Sequence, residues 1–408
     1  MDWTFASEVE IKLVNRLGYQ VNRAKEILDD PEVKENDWAT KEGRKSQIEI
    51  RSHGGQRSLR DFSRDLLGQW ENVARICSAK EMLMVPASEF GAGKAERNND
   101  IERLLVYDAV LGLEEVEKLL MTSGTHNHWS KHTDPRKRVI QHRLMTAFDP
   151  FAAFASTSPI NAHGKNDLNC HRIWLLRHGI DANPALLDAE IPEYIESLEE
   201  LKQRDVERYE LWKEMSLANG VSEADFERLF QIDNTGYAQN RDRPKFGTYE
   251  GRVADASPVD VVTGNQANFK GIFQFTFGRD VSVEVARQDD DFLWSTQRIV
   301  LPTKKTLRKM EVHYVNSGLK DDLLREYLTQ GMQYSAQGLE RKERAAQEPL
   351  FEMLEDQKNY ADRIMEHIKS LGHQGHFVSE NMAAAANLYL HSASQKAIER
   401  VKSSPYFA

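Results

Sequence analysis

The chain has 408 residues, 40% of them hydrophobic, and a formal net charge of -10; that is enough apolar content for one large core or two moderate ones. A mildly acidic balance gives neither nucleic acid nor an anionic membrane an electrostatic hold, so neither is expected as a partner. No basic-then-apolar leader opens the chain, no run approaches the ~18 apolar residues of a membrane span, and the two cysteines, Cys77 and Cys170, lie far apart in no metal spacing. Together these point to a cytoplasmic protein without a disulfide framework, with a catalytic thiol as a minor alternative.

Residues 3–14 alternate from Glu8 onward. Glu8, Glu10 and Lys12 point one way and Val9, Ile11 and Leu13 the other, the period-2 pattern of a strand with one apolar face. The polar stretch TKEGRKS (40–46), which contains Glu42, reads as a solvated turn. Residues 46–52 repeat the strand design, with Gln47, Glu49 and Arg51 opposite Ile48 and Ile50. Leu59, Phe62, Leu66, Leu67 and Trp70 give 57–77 helical spacing. A short strand follows at 80–86, then MVPASEFGAGKAERNND, whose FGAGK lacks the spacing of a phosphate loop and reads as a flexible turn. Helices are predicted over 100–120 and 136–155, with a strand at 119–129 between them. A charged amphipathic helix is predicted over 190–218, Pro192 suiting its first turn. Strands are predicted at 246–253 and 280–286. From Gly318 to about Leu371 the chain is almost continuously helical in character, with Glu340–Glu348 as a solvated face or a break between helices. Strands interspersed with helices, without regular βαβ alternation, predict an α+β protein with an antiparallel sheet covered by helices.

The polar faces of these strands carry the chemistry. Glu8 and Glu10 lie on one face roughly 7 Å apart, and in a cleft such carboxylates need a cation; Mg²⁺ or Mn²⁺ takes hard oxygen ligands and leaves room for phosphate. Glu49 extends the carboxylate set from a second strand. Ser123-Gly124-Thr125-His126-Asn127-His128-Trp129 puts two histidines on one face, either as nitrogen ligands or donors to phosphate, or as a pair packed under Trp129. Glu250 and Arg252 share a face of a further strand, where a carboxylate can hold a metal and a guanidinium fork can meet a phosphate or carboxylate.

In chain order these segments resemble the glutamate–cysteine ligase family of carboxylate–amine ligases. SEVEIKLV resembles its first-strand Glu-x-Glu motif, KSQIEIRS its second-strand glutamate and SGTHNHWS its Ser-Gly-x-His motif. ASTSPINAHGKND, with Arg172 nearby, resembles the Ser-Pro segment, FQIDNTGYAQN an Asp-x-Gly-Tyr stretch, and GTYEGRVADASPVD the closing Tyr-x-Glu-x-Arg motif. The chain departs from the pattern at 84–100, where Glu89, Lys94, Glu96 and Arg97 bring charge, and in the Asp-Gly-Tyr stretch, so glutamate and cysteine are not fixed as substrates.

The resemblance implies a glutamine-synthetase-type fold: a curved, largely antiparallel sheet forming a funnel, helices outside, in a catalytic domain of residues 1–310 with a helical region of 311–408 packed on it. It implies metal ligands at Glu8, Glu10, Glu49, His126 and Glu250, with Glu42 a weaker candidate. Arg252 and Glu250 would be catalytic, and Arg252, Tyr237 and Asn240 would contact the nucleotide. The implied cofactor is Mg (or Mn), with ATP as co-substrate and small-molecule carboxylate and amine as partners. The implied reaction is amide formation through an acyl phosphate. Phosphoryl transfer in the manner of guanidino kinases, or a non-catalytic role, are the alternatives.

Overall fold

The computed structural model describes residues 3–89, 91–179, 185 and 189–407. Its centre is a seven-stranded sheet built from β1 (Phe5–Asn15), β2 (Ala39–Lys41), β3 (Gln47–Arg51), β4 (Met82–Val85), β5 (Gly124–Ser130), β6 (Asn240–Arg243) and β7 (Thr248–Asp255). The order is β2-β3-β1-β5-β7-β6, with β4 continuing beyond β5 along β1, and every pairing is antiparallel. A second, three-stranded sheet joins β8 (Ser282–Val285), β9 (Leu293–Trp294) and β10 (Arg298–Leu301).

β1 is central because its alternation satisfies both sides of the sheet. Val9, Ile11 and Leu13 are fully buried against a helical layer that includes Leu59–Ala79 and Val259–Gly278. The second helix is held to the back of the sheet by Gln266, whose amide donates to the Ala6 carbonyl and Ser7 hydroxyl at 2.8 Å and to Asn127 at 3.1 Å. Trp129 donates to the same Gln266 at 2.7 Å. The last helix, Glu380–Ser403, lies against the end of β1 and β4. There Gly18 has φ +87° and approaches Ala384 so closely that any Cβ would strike its carbonyl, while Asn387 donates to the Gly18 carbonyl at 2.8 Å. One apolar core runs from Trp3 to Tyr406, and a smaller one gathers Leu104, Trp212 and Phe230. No described helix is long and apolar enough to cross a membrane.

Several elements differ from expectation. The helix predicted over 100–120 is two, Arg103–Leu111 and Leu113–Leu119, parted at Gly112 with φ +87°. The 190–218 helix starts at Leu198, capped by the Ser197 hydroxyl; Pro192 precedes it in irregular chain. Residues 149–155 are 3-10 rather than α. The long C-terminal helical run breaks after Gly338 and again at Gln357, φ +56°. Glu340–Glu348 is thus a break; Glu340, Arg341, Lys342, Arg344 and Glu348 are exposed there, whereas Glu343 is buried and ion-paired with Lys270.

Candidate active site

The face of the sheet opposite the helices collects the even-numbered residues of β1 and their register partners. Glu8 pairs with His126, Glu10 with Glu49, and His128 with Glu250, which in turn pairs with Arg241. Because side chains alternate along every strand, this register puts Glu8, Glu10, Glu49, His126, His128, Glu250 and Arg252 on one surface. Ligand atoms of Glu8, Glu49 and His126 lie within 4.8 Å of one another, as do those of Glu8, His128 and Glu250, and those of Glu10, Glu42 and Glu49. Among the five residues expected to ligate metal, none is left out.

His126 Nδ1 is 3.5 Å from Glu8 and 3.7 Å from Glu250, and its Nε2 is 3.7 Å from Glu10. His128 Nε2 lies 3.7 Å from Glu8. Trp129, by contrast, turns to the helical layer and packs on Phe269; the histidine pair is not packed under it. Glu10 accepts the Gly124 N–H at 2.6 Å and Glu49 accepts the Thr40 hydroxyl at 3.1 Å. Glu250 holds Arg252 at 2.5 Å, yet its second oxygen has no hydrogen-bond partner.

Glu42 departs from the solvated turn expected of it. Burial, then the charge of Glu10, pushes its carboxyl up to about 8. Glu49 is likewise raised well above the carboxylate range by burial and by Glu8, Glu42 and Glu10. Burial opposes ionisation at Glu8 too, but hydrogen bonds with His126 and His128 outweigh it and hold the group low. At Glu250 burial is overcome by Arg252 and Arg241, and His126 is kept neutral by burial and Arg252. This donor set fits a hard divalent cation: it is oxygen-rich, with imidazole nitrogens beside it, and its carboxyls are crowded enough that burial and mutual repulsion push Glu42 and Glu49 up.

Beside the cluster is a cavity of about 200 Å³ whose wall includes Glu10, Glu42, His126, Arg172, Tyr237 and Arg252. Arg172 donates to the carbonyls of Arg252 and Val253, both at 3.1 Å, so it fixes the end of β7. Arg243 is 3.5 Å from Glu250. Tyr237 lines this cavity. Asn240 does not line this cavity; it donates to Thr146 on the helical side of the sheet at 3.3 Å. His128, read in the sequence as half of a histidine pair, joins the site; Arg241 and Arg243 join it without having been singled out, and the alternating pair in Asn240–Arg243 was the available signal.

The charged loop at 84–100 is anchored rather than flexible. Its Phe90 falls outside the described residues. Gly91 and Gly93 touch the backbone of Ala162 and Gln20, and Gly93 donates to Glu380 at 2.9 Å. Arg97 is paired with Asp108 at 2.6 Å and Glu96 with Lys45 at 3.1 Å. Glu89 is buried, and its carbonyl accepts from the fully buried Lys12. Cys77 and Cys170 are buried thiols pushed up by burial, Cys77 to about 12, which removes the thiol alternative.

The fold is shared with solved ligase structures. The chain superposes on a bifunctional glutathione synthetase from Pasteurella multocida with TM-score 0.57 and 14% identity, covering 97% of this chain and 52% of that one. It superposes on the glutamate–cysteine ligase from Francisella tularensis in complex with AMP with TM-score 0.55 and 12% identity, covering 98% of this chain and 92% of that one. The chain thus spans about half the length of the Pasteurella protein. No protein-family model and no curated protein matches the sequence itself.

Proposed function

We propose that the chain is an ATP-dependent carboxylate–amine ligase with its active site on the acidic sheet face. The observation that carries the reading is the convergence of Glu8, Glu10, Glu42, Glu49, His126, His128 and Glu250, from separate strands and one turn, beside Arg252. The ligase structures that share the fold, one of them with AMP, support it. We read residues 1–310 as the catalytic part, with its sheet curved into a funnel, and 311–408 as the helical part braced against it.

In the reaction, an oxygen of the acid substrate attacks the γ-phosphorus of ATP. The new O–P bond forms as the bond to the β-phosphate oxygen breaks, giving an acyl phosphate and ADP. The amine then adds to the acyl carbon, phosphate leaves with the C–O electron pair, and the nitrogen loses a proton. A divalent cation held by Glu8, Glu49 and His126, by Glu8, His128 and Glu250, or by Glu10, Glu42 and Glu49 would supply the positive charge that offsets the phosphoryl oxygens. Arg252, held in place by Glu250, presents its guanidinium plane to the phosphoryl group. His126, neutral and fixed among carboxylates, offers nitrogen rather than a competing positive charge. The walls of the cavity bring acid and phosphate together, which lowers the entropic part of the barrier.

The test is incubation of the full chain with ATP, Mg²⁺ and pooled amino acids, following ADP, phosphate and new masses. ADP with an amide product supports the reading. A stable phosphorylated metabolite without amide would replace it with a phosphoryl transferase, and no ADP under any pool would overturn it.

A further inference from the structure

A second cavity, of about 220 Å³, lies where the helices Val259–Gly278, Tyr360–Ser370 and Glu380–Ser403 meet. None of its lining residues lines the first cavity or belongs to the acidic cluster. Its floor is buried: Asp260, Tyr360 and Ala397 are at most 5% exposed. The last helix contributes Tyr389, Ser392, Ala393, Lys396, Ala397 and Arg400, whose three- and four-residue steps place them on one face. Arg363, near the start of Tyr360–Ser370, lines it as well. The volume is several times the ~30 Å³ that one water occupies in the liquid, which is room for a compact metabolite.

The charge on these walls is positive on balance. Arg363, Lys396 and Arg400 are met by a single lining carboxylate, Asp260. That carboxylate is taken up by neutral donors: it accepts the Val261 N–H at 2.9 Å and the Tyr360 hydroxyl at 3.3 Å, while Arg400 stays 4.0 Å away. Arg400 also pairs with Glu352 at 2.9 Å, and Arg363 with Asp356 at 3.5 Å. Both of those outer carboxylates are more than half exposed, and exposed pairs contribute little, so a ligand can displace them. Lys396 has no carboxylate partner among the described residues, and it stands four residues before Arg400, so like charges share one helix face. Asp260 and Tyr360 are the second and first residues of their helices, and two helix N-termini add to the positive potential.

We propose that this cavity binds a compact multivalent anion, with Arg363, Lys396 and Arg400 as its counter-charges. Guanidinium forks and an ammonium group serve phosphate and carboxylate oxygens alike, so the two sources that share this chemistry are a small organic phosphate and a polycarboxylate. The site needs neither ATP nor the cation cluster, so it stands or falls separately from the ligase reading.

The experiment takes the full chain, stripped of metal on a chelating resin, in a buffer free of chelator and phosphate. It is titrated by calorimetry with pyrophosphate and separately with citrate. Saturable binding is expected in at least one arm, weakened at least tenfold in both Lys396→Met and Arg363→Gln and unchanged in Arg252→Lys. Because Lys396 is exposed and has no carboxylate to lose, anion-free Lys396→Met should melt at the wild-type temperature, which separates a lost site from a lost fold. Pyrophosphate binding alone assigns the cavity to phosphates, citrate binding alone to carboxylates, and binding of both to compact anions of either kind. No saturation in either arm, unchanged affinity in Lys396→Met, or loss of binding in Arg252→Lys would overturn the proposal, the last by moving the anion to the acidic face. No ATP or divalent cation is present, so a failed ligase assay leaves this result readable.

Discussion

Glu10 and Glu49 are direct partners across the β1–β3 ladder. Like charges so placed are unfavourable in a sheet, and here they are also partly shielded from water. Glu10 accepts the Gly124 N–H, whereas Glu49 has only the Thr40 hydroxyl, and burial and its acidic neighbours push its carboxyl well above the carboxylate range. The pair is therefore poorly suited to the free protein and well suited to one with a cation between its strands. Replacing Glu49 by Gln should leave the melting temperature in EDTA equal or higher, yet weaken Mn²⁺ binding more than tenfold by calorimetry. Wild-type Mn²⁺ affinity in that variant would remove Glu49 from the ligand set.

The raised carboxyl of Glu42 makes metal-free stability pH-dependent. Between the ordinary carboxylate value and about 8 the folded chain holds a proton there that the unfolded chain has lost. Stability present at low pH is thus lost as pH rises through that window. Glu89, raised by burial to about 7, adds to the decline. Lys12, lowered by burial to about 7, acts oppositely above that value, where the unfolded chain holds the extra proton. Urea denaturation in EDTA should therefore show stability falling from pH 5 to 7, and Glu42→Gln should flatten the slope by up to about 1.4 kcal/mol per pH unit. An unchanged slope in Glu42→Gln would place its proton elsewhere.

Divalent cations should reverse that pattern. Binding must expel protons from Glu42 and Glu49, so Mn²⁺ affinity should rise with pH up to about 8 and protons should appear in the buffer on titration. Calorimetry at pH 7 in two buffers of different ionisation enthalpy measures this release directly. Zero release would show that both carboxyls are already ionised.

Arg252 offers a planar fork that Lys cannot reproduce. Arg252→Lys keeps the positive charge beside Glu250 and so should hold the melting temperature within a few degrees. Phosphate release from ATP should nevertheless fall about a hundredfold, the scale of losing one preorganised donor to a developing charge. Full activity in Arg252→Lys would reduce the residue to a structural counter-ion.

Gln266 tests the back of the sheet. Gln266→Leu leaves Ser7, Asn127 and Trp129 without their shared partner and should cost about 3 kcal/mol by denaturant titration. Mn²⁺ affinity of the folded fraction should be unaffected, since none of these groups reaches the acidic face.

The strands that carry the site were legible because each shows its two faces in its own letters: Val9, Ile11 and Leu13 against Glu8 and Glu10, Ile48 and Ile50 against Glu49. The helix Leu59–Ala79 was readable for the same reason. Glu42 was not, since whether a polar turn is solvated depends on what folds over it, here Leu120 packed on Gly43 and Arg44 reaching Glu117 at 2.6 Å. β6, four residues dense in charge, offers no apolar alternation and acquires strand geometry only by pairing with β7. Breaks at Gly112 and Gln357 are single positive-φ residues, invisible to a periodicity that continues on either side. The anchoring of FGAGK depends on Ala162, Gln20 and Glu380, all distant in sequence.

The contact between Gly18 and the last helix sets the order in which the molecule can be completed. Glu8 and Glu10 are synthesised long before Asn387, which holds the turn after their strand. The acidic face must wait, with its carboxylates in water, until Asn387 is available. Long-range closures of this kind slow folding and leave intermediates exposed. Chains stopped before Asn387 should accumulate as open, protease-sensitive species, so the earliest-made part of the site is also the last to become rigid.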